Sequence, residues 1–245
     1  MLELLTFWML VLIGLTRKAQ RTGYLRKSSA AWVLDVSGLM VQGALIPFLQ
    51  MALVVVVLKR TLPDAEGILA FSAAPWVMGF LLNFVAVDYL YYWNHRLFHH
   101  ARWWPIHRVH HSVTEMDVLG TSRNTLWSSF LIVYLWLNGL MVFLLREPAG
   151  YLAGAAITAS LDLWRHSNLG PRSGGIWERW LGGLLVLPQD HAAHHADTEY
   201  FGNYGANLCV WDKMHGTFLR RGKATRRLGI PTRLSVAKQL LWPFP

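Results

Sequence analysis

Cysteine, acidic residues and polar linkers are what this chain has least of. Cys209 is the only cysteine among 245 residues. That rules out a disulfide within the chain and a cluster of thiolates, so a bound metal must be held by nitrogen or oxygen. Charged residues make up only 15% of the sequence, and acids are the minority, 14 against 23 basic residues. With 53% of residues hydrophobic, the chain is too apolar for an ordinary soluble domain and reads as a membrane protein. It has no Gly/Ser or Pro-rich linker and no repeat beyond a duplicated histidine spacing, which implies one domain over residues 1–245. There is no haem-binding motif, no iron–sulfur cysteine pattern and no dinucleotide fingerprint. The first residues, MLELLTFWMLVLIGLT, lack a basic leader and a small-residue cleavage site, so this segment is expected to be retained.

What is abundant is apolar sequence in runs. Residues 2–16 form a short run, marginal for a full span, followed by Arg17, Lys18, Arg21, Arg26 and Lys27 with no acid among them. Residues 31–58 are long enough to cross a bilayer, with a kink expected at Pro47. Residues 67–93 predict another helix, and 125–145 with 149–165 predict a helical hairpin around Arg146, Glu147 and Pro148. A short amphipathic helix is expected near 233–242, and LGGLLVLP at 181–188 reads as interfacial. The fold class predicted is all-α: a multi-pass transmembrane helical bundle of about 4–5 membrane helices.

Sidedness follows from the basic residues. Placing 16–30, 94–124 and 165–245 in the cytosol puts 20 of the 23 Lys and Arg there, leaving Lys59, Arg60 and Arg146 outside. The same choice puts all eleven histidines on the cytosolic side. The basic residues are spread among loops beside apolar runs, which points to anionic lipid headgroups and away from nucleic acid. Trp93, Trp103, Trp104, Trp177 and Trp180 flank the histidines, as expected of a headgroup-level belt.

All histidines fall between 95 and 215. His95 and His99 are four apart; His107, His110 and His111 form HxxHH; His191, His194 and His195 repeat it; His166 closes an apolar run. Residues three and four apart share a helix face, so each group can aim two or three imidazoles at one point. Nine imidazoles exceed the ligand needs of one ion, which implies two metals, and imidazole alone does not select between iron, zinc, copper and nickel. His100 must point away from His99 and His215 stands alone, so neither is assigned. Histidine ligands usually donate their other ring nitrogen to a carboxylate or carbonyl. Asp88, seven residues before His95, Asp162, four before His166, and Asp190, beside His191, are the supporting candidates, with Asp162 either supporting or a direct ligand.

The run DYLYYWNHRLFH through WPIHRVHHS, then WRHSN, then HAAHH followed by NYGANLCVWDKMHGTF, resembles the fatty acid hydroxylase/sterol desaturase superfamily of integral membrane di-iron enzymes. The resemblance covers about residues 75–219, the expected catalytic core. It implies a helical bundle whose histidine-rich cytosolic cap holds two Fe ions, for which zinc can substitute in a purified sample. His95, His99, His107, His110, His111, His166, His191, His194 and His195 would be the ligands. It also implies hydroxylation or desaturation of a lipid drawn from the bilayer between the helices around 36–92 and 125–165, using O2 and external electrons. A ferredoxin, a b5-type cytochrome or a flavin reductase would supply them, with Arg220, Arg221, Lys223, Arg226 and Arg227 as a basic face for an acidic donor or for headgroups. The expected location is the bacterial inner membrane, or the endoplasmic reticulum in a eukaryote.

Two rival readings remain at the level of sequence. A membrane zinc hydrolase needs a carboxylate base near its ligands, as in HExxH, whereas position 96 is Arg and neither HxxHH group contains Glu. A metal carrier predicts polar residues along its membrane helices, and 125–145 offers little beyond Ser128, Ser129 and Asn138.

Overall fold

In the computed structural model, residues 1–197, 202–219 and 227–244 are described. Among them the regular structure is all helical, with isolated β-bridges and no strand. Helix α1 (Leu2–Thr16) and α2 (Lys18–Arg26) precede the long α3, Ser29–Thr61, which Ser28 caps by accepting from the Ala31 amide. At 33 residues, α3 is long and apolar enough to cross a membrane. The wide turn Val41–Leu45 ends two residues before Pro47, shifting the hydrogen-bond register near a residue that has no N–H to give. Much of α3 is unburied, with Phe48 and Met51 each 66% exposed, as an apolar wall facing lipid would be.

Helix α4 runs from Pro75–Leu81 through the wide turn Leu82–Val87 into Asp88–Phe98. Residues 67–74 were expected to be helical and are not. Leu69 instead bridges to Leu145, exchanging main-chain hydrogen bonds with Leu144 and Arg146, and Pro75 sets the helix start. The 125–145 run is likewise shorter than expected: a 3-10 turn at Ser128–Leu131 precedes α5, Val133–Leu144. α6 (Ala149–His166) returns antiparallel and packs along α4. At their crossing a Cβ on Gly150 would collide with the carbonyl of Trp76, so only glycine allows this approach.

The remaining chain forms the cap. α7 (Ile176–Leu184) carries Trp177 and Trp180 outward, 70% and 74% exposed. Residues 185–187 of the expected interfacial run are extended, and Pro188 opens α8 (Pro188–His194). α9 (Val210–Met214) follows, and the expected 233–242 helix is the shorter α10, Val236–Leu241. Of the proposed basic face, Arg220, Arg221, Lys223 and Arg226 lie outside the described residues. The Arg227 carbonyl accepts from the Asp197 amide.

A buried ionic network joins α3 to the cap. Asp35, fully buried, accepts from Lys27 and from Arg123 Nε, both at 2.6 Å, and Lys27 also meets Asp117 at 2.8 Å. Arg123 Nη1 donates to the Ser112 carbonyl and the Arg123 carbonyl receives His110, so the network fixes one wall of the histidine site.

Candidate metal centre

The nine histidines gather into two adjacent groups around the C-terminal ends of α4 and α6. His95, His99, His107, His111 and His194 form one; His110, His166, His191 and His195 form the other, and within each group the candidate ligand nitrogens lie within 4.8 Å of one another. The two HxxHH segments divide in the same way. His107 and His111 stay together while His110 crosses to the second group; His191 and His195 stay together while His194 crosses to the first. His111 and His195, stacked with ring centroids 4.5 Å apart, form the shared wall. His100 and His215 stand apart. His100 is exposed, and His215 Nε2 meets the Tyr89 hydroxyl at 3.2 Å.

The outward nitrogens fix the inward ones. Nδ1 of His95 donates to the Tyr204 carbonyl, of His110 to Arg123, of His166 to Asp162 and of His194 to Gly202. A carbonyl can only accept, so each of these rings is protonated at Nδ1 and turns an unprotonated Nε2 into the cluster. The Nε2 atoms of His110 and His166 are 3.3 Å apart, and that of His191 is 3.0 Å from His166. Nε2 of His194 is buried with no hydrogen-bond partner among the described residues.

Two lone pairs facing each other across 3.3 Å repel unless a cation lies between them. A proton is disfavoured, because burial holds His95, His99, His107, His110, His111, His191, His194 and His195 below the ordinary value near 6.5, and charging any one ring is further opposed by the rings around it and, for His95, His191 and His194, by Arg165. His110 and His194 fall to about 3. Nitrogens about 2.0–2.1 Å from one ion stand about 2.9 Å apart at right angles and about 3.4 Å apart tetrahedrally. The observed spacings lie in that interval, so the donor set fits metal ions.

Of the three carboxylates expected to support the rings, Asp162 touches His166. Its carbonyl receives His166 Nδ1 at 2.9 Å, its carboxylate lies 3.4 Å from the same nitrogen and binds Arg165 at 2.6 Å. It therefore sits behind His166, on the side away from the cluster. Asp88 is fully buried but serves the 207–211 turn, accepting from the amides of Asn207 and Leu208 and from Trp211 Nε1. Asp190 accepts from the Leu187 amide and so caps the start of α8.

Several supporting residues were not singled out from sequence. Asp212 accepts from the amides of Tyr204 and Gly205, and Asn203, at a left-handed φ of 57°, ties Asp190 to Leu219. Together they shape the 202–205 loop whose carbonyls orient His95 and His194. Buried Arg165 donates to the Ala206 carbonyl as well as to Asp162. The NYG and WD signatures carried this information, since a loop that supplies carbonyls needs side chains to hold it.

A cavity of about 260 Å³ opens beside the rings and extends between α3, α5 and α6. His95 and His107 of the first group and His110, His166 and His191 of the second line it, so both groups face one chamber.

The fatty acid hydroxylase family model matches residues 80–217. An ornithine lipid hydroxylase, OlsE, of Rhizobium tropici is 33% identical over 149 residues, 58% of this chain and 43% of that protein. The alkylglycerol monooxygenases of Homo sapiens and Xenopus tropicalis are 30% and 28% identical, over 59% and 60% of this chain and 31% of each relative. The chain thus spans less than half the length of these relatives. No solved structure matches.

Proposed function

The chain belongs to the fatty acid hydroxylase family, and from that premise we propose that it is a membrane-bound oxygenase that hydroxylates or desaturates a lipid at an unactivated C–H bond. The observation that carries the reading is that two neutral histidine clusters face one chamber between apolar helices. In this reading the five-histidine and four-histidine groups each hold one iron. Bound iron supplies the activation of O2 that an unactivated C–H bond demands. In hydroxylation one oxygen atom enters the lipid and the other leaves as water, with two electrons and two protons from outside. In desaturation both atoms leave as water, with two hydrogens drawn from the lipid and two electrons and two protons from outside.

The protein's part is placement. Carbonyls at 123, 162, 202 and 204 hold Nε2 of four rings toward the ions, and burial keeps the rings unprotonated and able to bind. The bundle crosses the bilayer several times, with α3 as its longest span and the histidines on the cytosolic side, where the basic residues concentrate. The lipid enters from the bilayer into the chamber, which excludes bulk water from the reacting carbon. Electrons come from an external ferredoxin, b5-type cytochrome or flavin reductase.

The test is O2 uptake by iron-loaded protein with a reductant, together with lipid mass spectrometry of cells with and without the gene. Gain of one oxygen atom or loss of two hydrogens in a lipid class, dependent on iron, is expected. Zinc-supported hydrolysis without O2 uptake would overturn the reading.

A further inference from the structure

Tyrosine and tryptophan rings reach the two histidine groups unevenly. Among the described residues, Tyr91, Trp104 and Tyr204 pack against rings of the five-histidine group, and no tyrosine or tryptophan packs against a ring of the four-histidine group. Tyr204 meets three rings at once, 5.0 Å from His99, 5.8 Å from His95 and 5.9 Å from His194 between centroids. Behind it stands fully buried Tyr92 at 6.0 Å, and beyond Tyr92 the partly exposed Tyr89 at 6.4 Å. Three phenols therefore lead in close succession from the metal-binding rings to the surface of α4.

Each of the outer two has somewhere to put its proton. Arg96 Nη1 donates to the Tyr92 oxygen at 3.3 Å, and Thr217 Oγ1 donates to the Asp212 carboxylate at 2.7 Å, because a carboxylate only accepts. The Tyr92 hydroxyl thus donates to Thr217, at 3.0 Å. Tyr89 lays its hydroxyl 3.2 Å from Nε2 of His215, the histidine that neither cluster uses. A phenol that loses an electron becomes a strong acid, and it can shed its proton in place only to an acceptor within hydrogen-bond reach.

We infer that Tyr204, Tyr92 and Tyr89 form a path that drains an oxidising equivalent from the five-histidine group to the surface when no lipid is there to be oxidised. This rests on the reading of the clusters as an O2-activating iron site. The path runs in this direction and does not deliver donor electrons by hopping, because a phenol is readily oxidised and is not reduced by a mild biological donor. In each transfer Tyr92 loses one electron across the Tyr204 ring to the metal centre and passes its proton through Thr217 to Asp212. Tyr89 then refills Tyr92, whose proton returns, and hands its own proton to His215. A soluble thiol at the surface gives Tyr89 one electron, the Tyr89 proton comes back from His215, and the thiol releases its proton to water. Two thiols oxidised in this way pair as a disulfide.

A photo-oxidant tests the path without turnover. Met214, 64% exposed and next to His215, is replaced in Met214→Cys and tethered to a ruthenium tris-bipyridyl group, while Cys209 is buried and escapes labelling. The ferrous-loaded full-length protein is flashed in detergent with a sacrificial electron acceptor, without O2 or lipid. Tyrosyl absorbance and the ferric spin signal are followed. A fast phase of iron oxidation is expected in Met214→Cys, and its loss when Tyr92→Phe or Tyr89→Phe is added at equal iron content. If Tyr92→Phe fails to hold iron, Tyr89→Phe, farther from the rings, carries the same test. A fast phase that survives both substitutions, or none with the tyrosines in place, overturns the path. Under O2 and reductant without lipid, peptide mass spectrometry should find more oxidised ligand histidines in Tyr92→Phe than in wild type, and equal oxidation overturns the draining role. Tyrosine-dependent conduction in a protein that oxidises no lipid overturns the oxygenase reading and leaves the conducting path, whereas lipid oxidation without the fast phase overturns the path alone.

Discussion

His110 and His166 point unprotonated Nε2 atoms at each other across 3.3 Å, each ring fixed from behind by a main-chain carbonyl. Without a cation the two lone pairs repel, so removing metal should cost stability as well as activity. Chelation is expected to lower the melting temperature and re-addition of iron to restore it. At ion concentrations about a hundredfold above Kd, each ion adds about 2.7 kcal/mol. Calorimetry or thermal fluorescence on the detergent-solubilised protein measures it; no shift on chelation would argue against resident ions.

Ligand and non-ligand histidines should separate cleanly. His110→Ala is expected to abolish turnover and lower the metal content while leaving membrane insertion intact. His215→Ala, which touches neither cluster, should retain full metal. Metal analysis of membranes carrying each variant decides, and full activity in His110→Ala would remove that residue from the site.

Asp162→Asn keeps the carbonyl that receives His166 Nδ1 and removes only the charge. A loss of about tenfold in metal affinity or turnover is expected, at the mild end of what residues behind a metal ligand contribute. Complete loss of metal would instead make the carboxylate a ligand in its own right.

Asp35→Ala would leave Lys27 and Arg123 buried without their shared carboxylate. Removing one member of a buried pair costs about 3–5 kcal/mol. Because the Arg123 carbonyl orients His110, metal content should fall along with stability. Unfolding in denaturant and metal analysis on one preparation measure both.

Acid should weaken the metal-free protein in a defined window. The buried rings have folded pKa values below the unfolded value near 6.5, so between the two values the unfolded chain binds protons that the folded chain refuses. Stability is therefore complete above about 6.5 and is lost as pH falls, down to about 3 for His110 and His194. Melting temperature against pH should slope upward through this window, and a flat profile would contradict neutral buried rings.

The sequence made the histidine groups legible because their spacing is a local property: His95 with His99, His107 with His111 and His191 with His195 are each one helical turn apart. It did not reveal the crossing of His110 and His194, because that depends on how consecutive side chains splay on a tight turn and on what stands opposite. Asp88 lies on the same helix face as His95, but the 207–211 turn arrives from elsewhere in the chain and claims its carboxylate. Residues 67–74 were apolar enough to suggest helix, yet their pairing with 144–146 is a tertiary fact. The polar lining of the chamber was visible only in part, as Ser128, Ser129 and Asn138; Gln42 and Gln50 of α3, which also line it, gained meaning once α3 was seen beside α5.

The exchanged middle histidines also make the two groups depend on each other. Since each HxxHH segment lends one ring to the other's pocket, neither pocket is complete until two stretches of chain some eighty residues apart have met. A chain that ends after the first segment would carry four of the five histidines of one group and one of the four of the other. The full donor set of either group would therefore form only with the last segment in place, which would couple metal loading to the completion of folding.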